Sequence, residues 1–153
     1  GNPGSWVSSV IMKFMCANTS MEVFAVGANG PQSYCTTNNA NSMFYNCSNM
    51  REIVGSLNLI DISNDNNVAN IFKNCGKLRK ANIKNLKVNL SFANSPFISL
   101  ESLQYLITNA ANTSPITVTV HADVYNKIQD ELQTDWHALI EAGTAKQITF
   151  ATA

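Results

Sequence analysis

A segment of this chain recurs downstream at a constant offset, and no other feature restricts the fold as much. Aligned on residues 65–81, residues 37–53 share six identities in 17 positions. Phe44 answers Phe72, Asn46 answers Asn74, Cys47 answers Cys75 and Arg51 answers Arg79. Upstream of these, Asn38 and Asn39 meet Asn66 and Asn67. In a degenerate third copy, Phe92, Asn94 and Ser95 follow Phe72, Asn74 and Cys75 at a shorter step. Periods of this size belong to solenoids. One copy cannot bury its own apolar side, so neighbours must stack.

Within each copy, Met43-Phe44 and Ile71-Phe72 predict a short helix lying over a coil. The chain then turns at the cysteine and enters a short strand whose Ile and Ala point inward. The second copy continues as Leu78, Ala81, Ile83 and Leu86, close to the pattern L-x-x-L-x-L-x-x-N. Asparagine fits the same picture, at 21 of 153 residues. Its amide can replace a backbone partner in a turn, and a fold of many similar short turns would use it often.

The copies read F-x-N-C-x-x-[ML]-x-x-[IA], which resembles F-x-x-C-x-x-L-x-x-I, the hallmark of the BspA-like leucine-rich repeats of bacterial surface proteins. The form "MFYNCSNM" at 43–50 is similar to the variant with a Met-Phe pair before the Cys. The resemblance covers about residues 37–103. It implies a non-catalytic recognition module of a bacterial surface or secreted protein, presenting an open sheet face to a protein or glycan. Fold alone does not fix function, and the alternative is a structural module of a phage-tail-like or cell-envelope assembly.

The flanks read differently. Residues 7–16 and 21–27 are β-rich runs separated by "ANTS" and predict a hairpin, a candidate cap for the first coil; residues 28–34 read as a loop. Downstream, Leu100, Leu103, Leu106, Ile107 and Ala110 predict an amphipathic helix over about 99–110, and residues 116–121 alternate as a strand. Val124, Ile128, Leu132, Trp136, Leu139 and Ile140 follow one helical stripe, which an N-cap at Thr134 or Asp135 would break in two. "QITFATA" closes as a last strand. The predicted class is therefore α/β: an irregular leucine-rich-repeat-like solenoid with a parallel sheet, an N-terminal β-hairpin cap and C-terminal αβαβ units extending that sheet. One domain is expected over 1–153, with the cap at 1–34, the repeats at 35–103 and a C-terminal α/β cap at 104–153.

Ten bases balance ten acids and only 13% of residues are charged, which argues against a nucleic-acid partner. No apolar run approaches the roughly 18 residues that span a bilayer, so this segment is not expected to insert in a membrane. The chain opens on Gly1 without Met, so an upstream targeting segment is expected to be missing, with a cell-surface or secreted location. Cys16, Cys35, Cys47 and Cys75 have no C-x-x-C spacing. Shared slots for Cys47 and Cys75 suit free thiols packed between coils; a disulfide or a metal site is the alternative. His121 and Asp123 lack a third ligand for zinc; His121 is expected to end a strand and Asp123 to cap a helix, with His137 an exposed neighbour of Trp136. Neither G-x-S-x-G nor a phosphate-binding glycine loop occurs. No cofactor, metal or catalytic residue is assigned, and the chain reads as a non-enzyme. The N-x-[ST] triplets at Asn18, Asn46, Asn89 and Asn112 are attributed to chance in an Asn-rich chain.

The candidate site lies on the second copy. Side chains alternate along a strand, so Lys80, Asn82 and Lys84 should share its outward face, and the offset between copies sets Glu52 beside Lys80. Residues 66–100 carry six bases and no acid, Lys87 among them, whereas 101–153 carry six acids and two bases. This strip is either a solvated face or a surface for an anionic partner. Trp6, Phe24 and Tyr34 are sugar-stacking candidates if exposed, or cap and core packing. The oligomeric state is not fixed by any of these features.

Overall fold

The computed structural model describes residues 9–26 and 33–153, so the Trp6 expectation and most of the loop before Tyr34 lie outside the described residues. Within them the protein is α/β, with parallel sheets and three α-helices.

The 28-residue step in sequence is a step in space. Alternate amides from Met12 to Asn18 donate to carbonyls of the next copy: Met12 to Asn39, Phe14 to Asn41, Cys16 to Met43 and Asn18 to Tyr45, at 2.7–3.0 Å. Ala40, Ser42, Phe44 and Asn46 repeat the four bonds to Asn67, Ala69, Ile71 and Lys73 at 2.8–3.0 Å. The amides between them close tight turns, such as Met15 to Met12, Met43 to Ala40 and Ile71 to Val68. This alternation needs left-handed residues, and they recur in register: Phe14, Ser42 and Asn70 at φ 57°, 54° and 59°, then Asn18, Asn46 and Asn74 at 63°, 59° and 60°. Asparagine tolerates that region better than other side chains. The segments carrying Met43-Phe44 and Ile71-Phe72 are thus a row of turns and not the short helices predicted.

A row of strands forms the other wall. Strand β4 (Glu52–Asn58) lies at its centre, with β2 (Val23–Ala25) and β3 (Tyr34–Asn39) along one edge and β5 (Lys80–Lys84) along the other, all parallel. Strand β1 (Val10–Ile11) pairs with β3, also parallel. The expected N-terminal hairpin is therefore wrong: its two runs pair with strands downstream and not with each other. Met15, Asn18 and Ser20 match Met43, Asn46 and Ser48 at the same offset, and Val23 then faces Glu52 after a one-residue deletion. Between β4 and β5 the register shortens from Glu52↔Lys80 to Ser56↔Asn82. Gly55 takes up the difference at φ 89°, a conformation a Cβ would resist.

The core fills the space between the rows. Phe44, Phe72 and Phe92 are buried and stack with centroids 5.8 and 5.1 Å apart, and Phe24 meets Phe44 edge-on at 5.1 Å. Ile53, Leu57, Leu78, Ala81 and Ile83 close it from the strand side.

The C-terminal third changes both rows. Strands β6 (Leu90–Phe92), β7 (Ile116–Val120) and β8 (Ile148–Thr152) form a second parallel sheet in that order, so they do not extend the first sheet as expected. The third step is shorter, from Asn74 to Asn94 and Cys75 to Ser95, and cannot supply both a turn segment and a strand. It places Phe92 on Phe72, continuing the turn row. Helix α1 (Leu100–Thr108), capped by the Ser99 hydroxyl, takes the place beside β5, where the Ala81 amide donates to Ser102 Oγ at 3.1 Å. The predicted break is present, giving α2 (Ala122–Gln129) and α3 (Thr134–Ala145). Leu132 falls in that break and is 90% exposed, so it leaves the apolar stripe assigned to it. Asp130 accepts from the Leu132 amide and turns the chain there. Leu139 is buried and Trp136 half-buried, with Lys127 Nζ 5.1 Å from its ring.

Candidate recognition face

Strand alternation divides β4 and β5 into two faces. Leu57 and Ile83 point into the core, and Ser56, Asn58, Asn82 and Lys84 point the other way. Register sets Tyr34, Ser56 and Asn82 in one line across three strands, and Thr36, Asn58 and Lys84 in the next. Hydrogen bonds tie these lines: Asn58 donates to Thr36 Oγ1 at 3.2 Å, and Asn85 donates to Asn58 Oδ1 at 2.9 Å. Lys84 Nζ lies 4.9 Å from the centroid of the Tyr34 ring. Lys80 and Glu52 pair at 3.6 Å, as their offset predicts. Both are substantially solvated, so this pair adds no more than about 1 kcal/mol.

Helix α1 builds the far wall. Tyr105 reaches across β5 and shares a 2.9 Å hydrogen bond with Ser56 Oγ on β4. The groove between α1 and β5 has a volume of about 410 Å³ and is lined by Arg79, Lys80, Asn82, Ser99, Glu101 and Tyr105. Phe97 is 59% exposed, with the Arg79 guanidinium 5.9 Å from its ring. Arg79 and Lys80 line the groove together with Glu101, and Glu52 pairs with Lys80 beside it, so the groove is mixed in charge.

Four of the five candidate residues, Glu52, Lys80, Asn82 and Lys84, share this face. Lys87 does not join the groove: it follows β5 on the way to β6, half-buried. Tyr34 is half-buried beneath Lys84, and Phe24 packs on the core. Sequence reasoning missed Tyr105 and Phe97. The available signal was that Tyr105 interrupts the apolar positions Leu103, Leu106 and Ile107 of α1.

The other polar candidates hold structure. His121 itself caps α2, its Nδ1 accepting from the Asp123 amide at 3.0 Å, so the cap is His121 and not Asp123. His137 is half-buried with Nδ1 2.9 Å from the Ile128 carbonyl oxygen, correcting its assignment as exposed. All four cysteines are free thiols. Cys47 donates to the Cys16 carbonyl at 3.0 Å and Cys75 to the Phe44 carbonyl at 3.1 Å, the same slot one copy apart. Burial, reinforced by Cys16 and Cys47 respectively, pushes the Cys35 and Cys75 thiols up to about 12. Burial also raises Cys16. Asn46, Asn89 and Asn112 direct their side-chain amides to Asn18, Asp65 and the Lys146 carbonyl. Among the described residues no group of three or more His, Cys, Asp or Glu is placed to hold a metal ion, and no helix is long and apolar enough to cross a membrane.

No family model, curated protein or solved structure matches the chain.

Proposed function

We propose that this chain is a non-catalytic recognition module that binds a protein or glycan through the outward face of its first sheet. The observation that carries the reading is the groove between β5 and α1. There Arg79, Lys80, Asn82, Glu101 and Tyr105 converge on a solvent-open space of about 410 Å³. Aromatic surface combined with hydrogen-bonding groups of both polarities suits a polyhydroxylated or peptide ligand, since each supplies an apolar face and many polar atoms. Burial of Cys35 and Cys75 sets these two thiols aside as nucleophiles. With Cys35 and Cys75 at about 12, neither offers a thiolate near neutral pH. The stacked steps of the repeat support a leucine-rich-type solenoid, and the BspA-like resemblance of residues 37–103 carries the expectation of a bacterial surface or secreted location.

A glycan array and a panel of host-surface proteins, probed with the parent chain and with Asn82→Ala and Tyr105→Phe, test the reading. A ligand retained by the parent and weakened at least tenfold by Asn82→Ala supports it. Binding unaffected by both variants would move the site elsewhere.

A further inference from the structure

We propose that copies of this chain associate head to tail, with the first turn segment of one copy seated against β8 and the adjoining cavity of the next. At the head, the turn row has unpaired carbonyls among the described residues. The carbonyls of Asn41, Met43 and Tyr45 accept amides from the preceding copy of the repeat, whereas nothing among the described residues donates to the equivalent carbonyls of Lys13, Met15 and Ala17. The same end is apolar. Ile11, Phe14, Met15 and Val23 are 72%, 55%, 45% and 43% exposed, and they account for four of the seven large hydrophobic side chains exposed among the described residues. Phe14 is the telling one. It holds φ 57° in a slot filled by Ser42 and Asn70 in the interior copies. Phenylalanine is strained in the left-handed region, which the asparagine of the third slot tolerates better.

The tail offers the complement. Among the described residues β8 pairs with β7 alone, so half its amides and carbonyls point away from the sheet and form a template for another backbone. Beside it, between α2 and α3, a cavity of about 210 Å³ is lined by Tyr125, Ile140, Ile148 and Phe150, apolar surface suited to an aromatic side chain. The occupant is a second copy because one chain carries both halves of the match. The ends differ, so the contact is heterologous and propagates unless the rotation closes a ring.

Sedimentation from about 10 μM to 1 mM should show the parent's mean mass rising with concentration. Phe14→Asn removes the ring and places a residue suited to the left-handed backbone there, so this variant should melt no lower than the parent and remain monomeric. Thr149→Arg, at an exposed β8 position on the cavity rim, should also be monomeric. Mixed, the two variants should form a one-to-one dimer, the intact tail of the first taking the intact head of the second. A parent that stays monomeric, a Phe14→Asn variant that still associates, or a mixture that does not dimerise would each overturn the proposal.

Discussion

Asn74 donates from Nδ2 to Asn46 Oδ1 at 2.6 Å, and Asn46 in turn donates to Asn18 Oδ1 at 2.9 Å. Each member of this file holds φ between 59° and 63°, so one residue type serves both the backbone and the bond to its neighbour. Asn46→Ala should lower unfolding free energy by about 1–3 kcal/mol, losing two hydrogen bonds and the better tolerance of asparagine for the left-handed region. Asn46→Gly should recover about 1 kcal/mol of that. Urea denaturation of the pair separates the two contributions. Equal losses would show that the backbone is not what selects asparagine.

The thiols predict an alkaline dependence. Burial raises Cys35 and Cys75 from 9.0 to about 12, so the folded state keeps protons that the unfolded chain releases. The stability this contributes is fully present below about pH 8.5 and is lost as pH rises through the window between 9 and 12. Denaturation midpoints should fall across that window, with a shallower slope in Cys75→Ser. Ser95 already donates to the Cys75 carbonyl from the equivalent slot at 3.0 Å, so a hydroxyl has a partner there. A thiol reagent at pH 8 should spare Cys35 and Cys75 in the folded protein and find four thiols after denaturation.

Gly143 fixes how closely α3 approaches β8. A Cβ built there would lie 2.7 Å from the Ile148 carbonyl oxygen, and a backbone atom cannot step aside as a flexible side chain does. Gly143→Ala should cost about 1–3 kcal/mol through overpacking, although alanine is the better helix former. A thermal melt equal to the parent's would mean that α3 can slide on the sheet.

The break between α2 and α3 sets a ranking along one apparent stripe. Leu139→Ala should cost about 2–5 kcal/mol as a buried large-to-small change. Trp136, half-buried, should fall below the roughly 3–5 kcal/mol of a fully buried aromatic. Leu132→Ser should change stability by less than about 0.5 kcal/mol. Measured thermal shifts in any other order would put the helix face elsewhere.

The step between the first copies was legible because identical side chains occupy identical slots, and Phe44 on Phe72 or Cys47 above Cys75 needs no tertiary information. The C-terminal elements were legible because Ile116, Val118 and Val120 alternate cleanly and α1 carries its apolar residues on one side. The N-terminal pairing was not. Short β-rich runs such as Val10–Ile11 and Val23–Ala25 do not encode whether their partner is each other or a strand a full step away. A one-residue deletion before Val23 also hides the register.

The turn row was misread for a related reason. Adjacent Met43 and Phe44 suggest a helix, but the residues that decide are the four-apart Ser42 and Asn46, which hold left-handed conformations. The groove was half-legible. Lys80, Asn82 and Lys84 follow from alternation along β5, whereas Tyr105 belongs to a helix whose place beside β5 depends on the shortened third step. Charge counted along the chain also does not reveal that Glu101 lines the groove with Arg79 and Lys80.

The turn row also has an electrical consequence. In each peptide unit 13–14, 15–16, 41–42 and 43–44, the carbonyl points back along the stack and the amide points forward. Units of about 3.5 D each are thereby aligned across the copies, as they are along a helix axis. The row acts as a broad dipole lying crosswise to the chain, and its strength grows with the number of copies and not with the length of any one element. Its negative pole lies at Lys13 and Met15. At the opposite pole the Asn74 amide meets Asn94 Oδ1 at 2.9 Å, a neutral acceptor where a carboxylate would gain from the field.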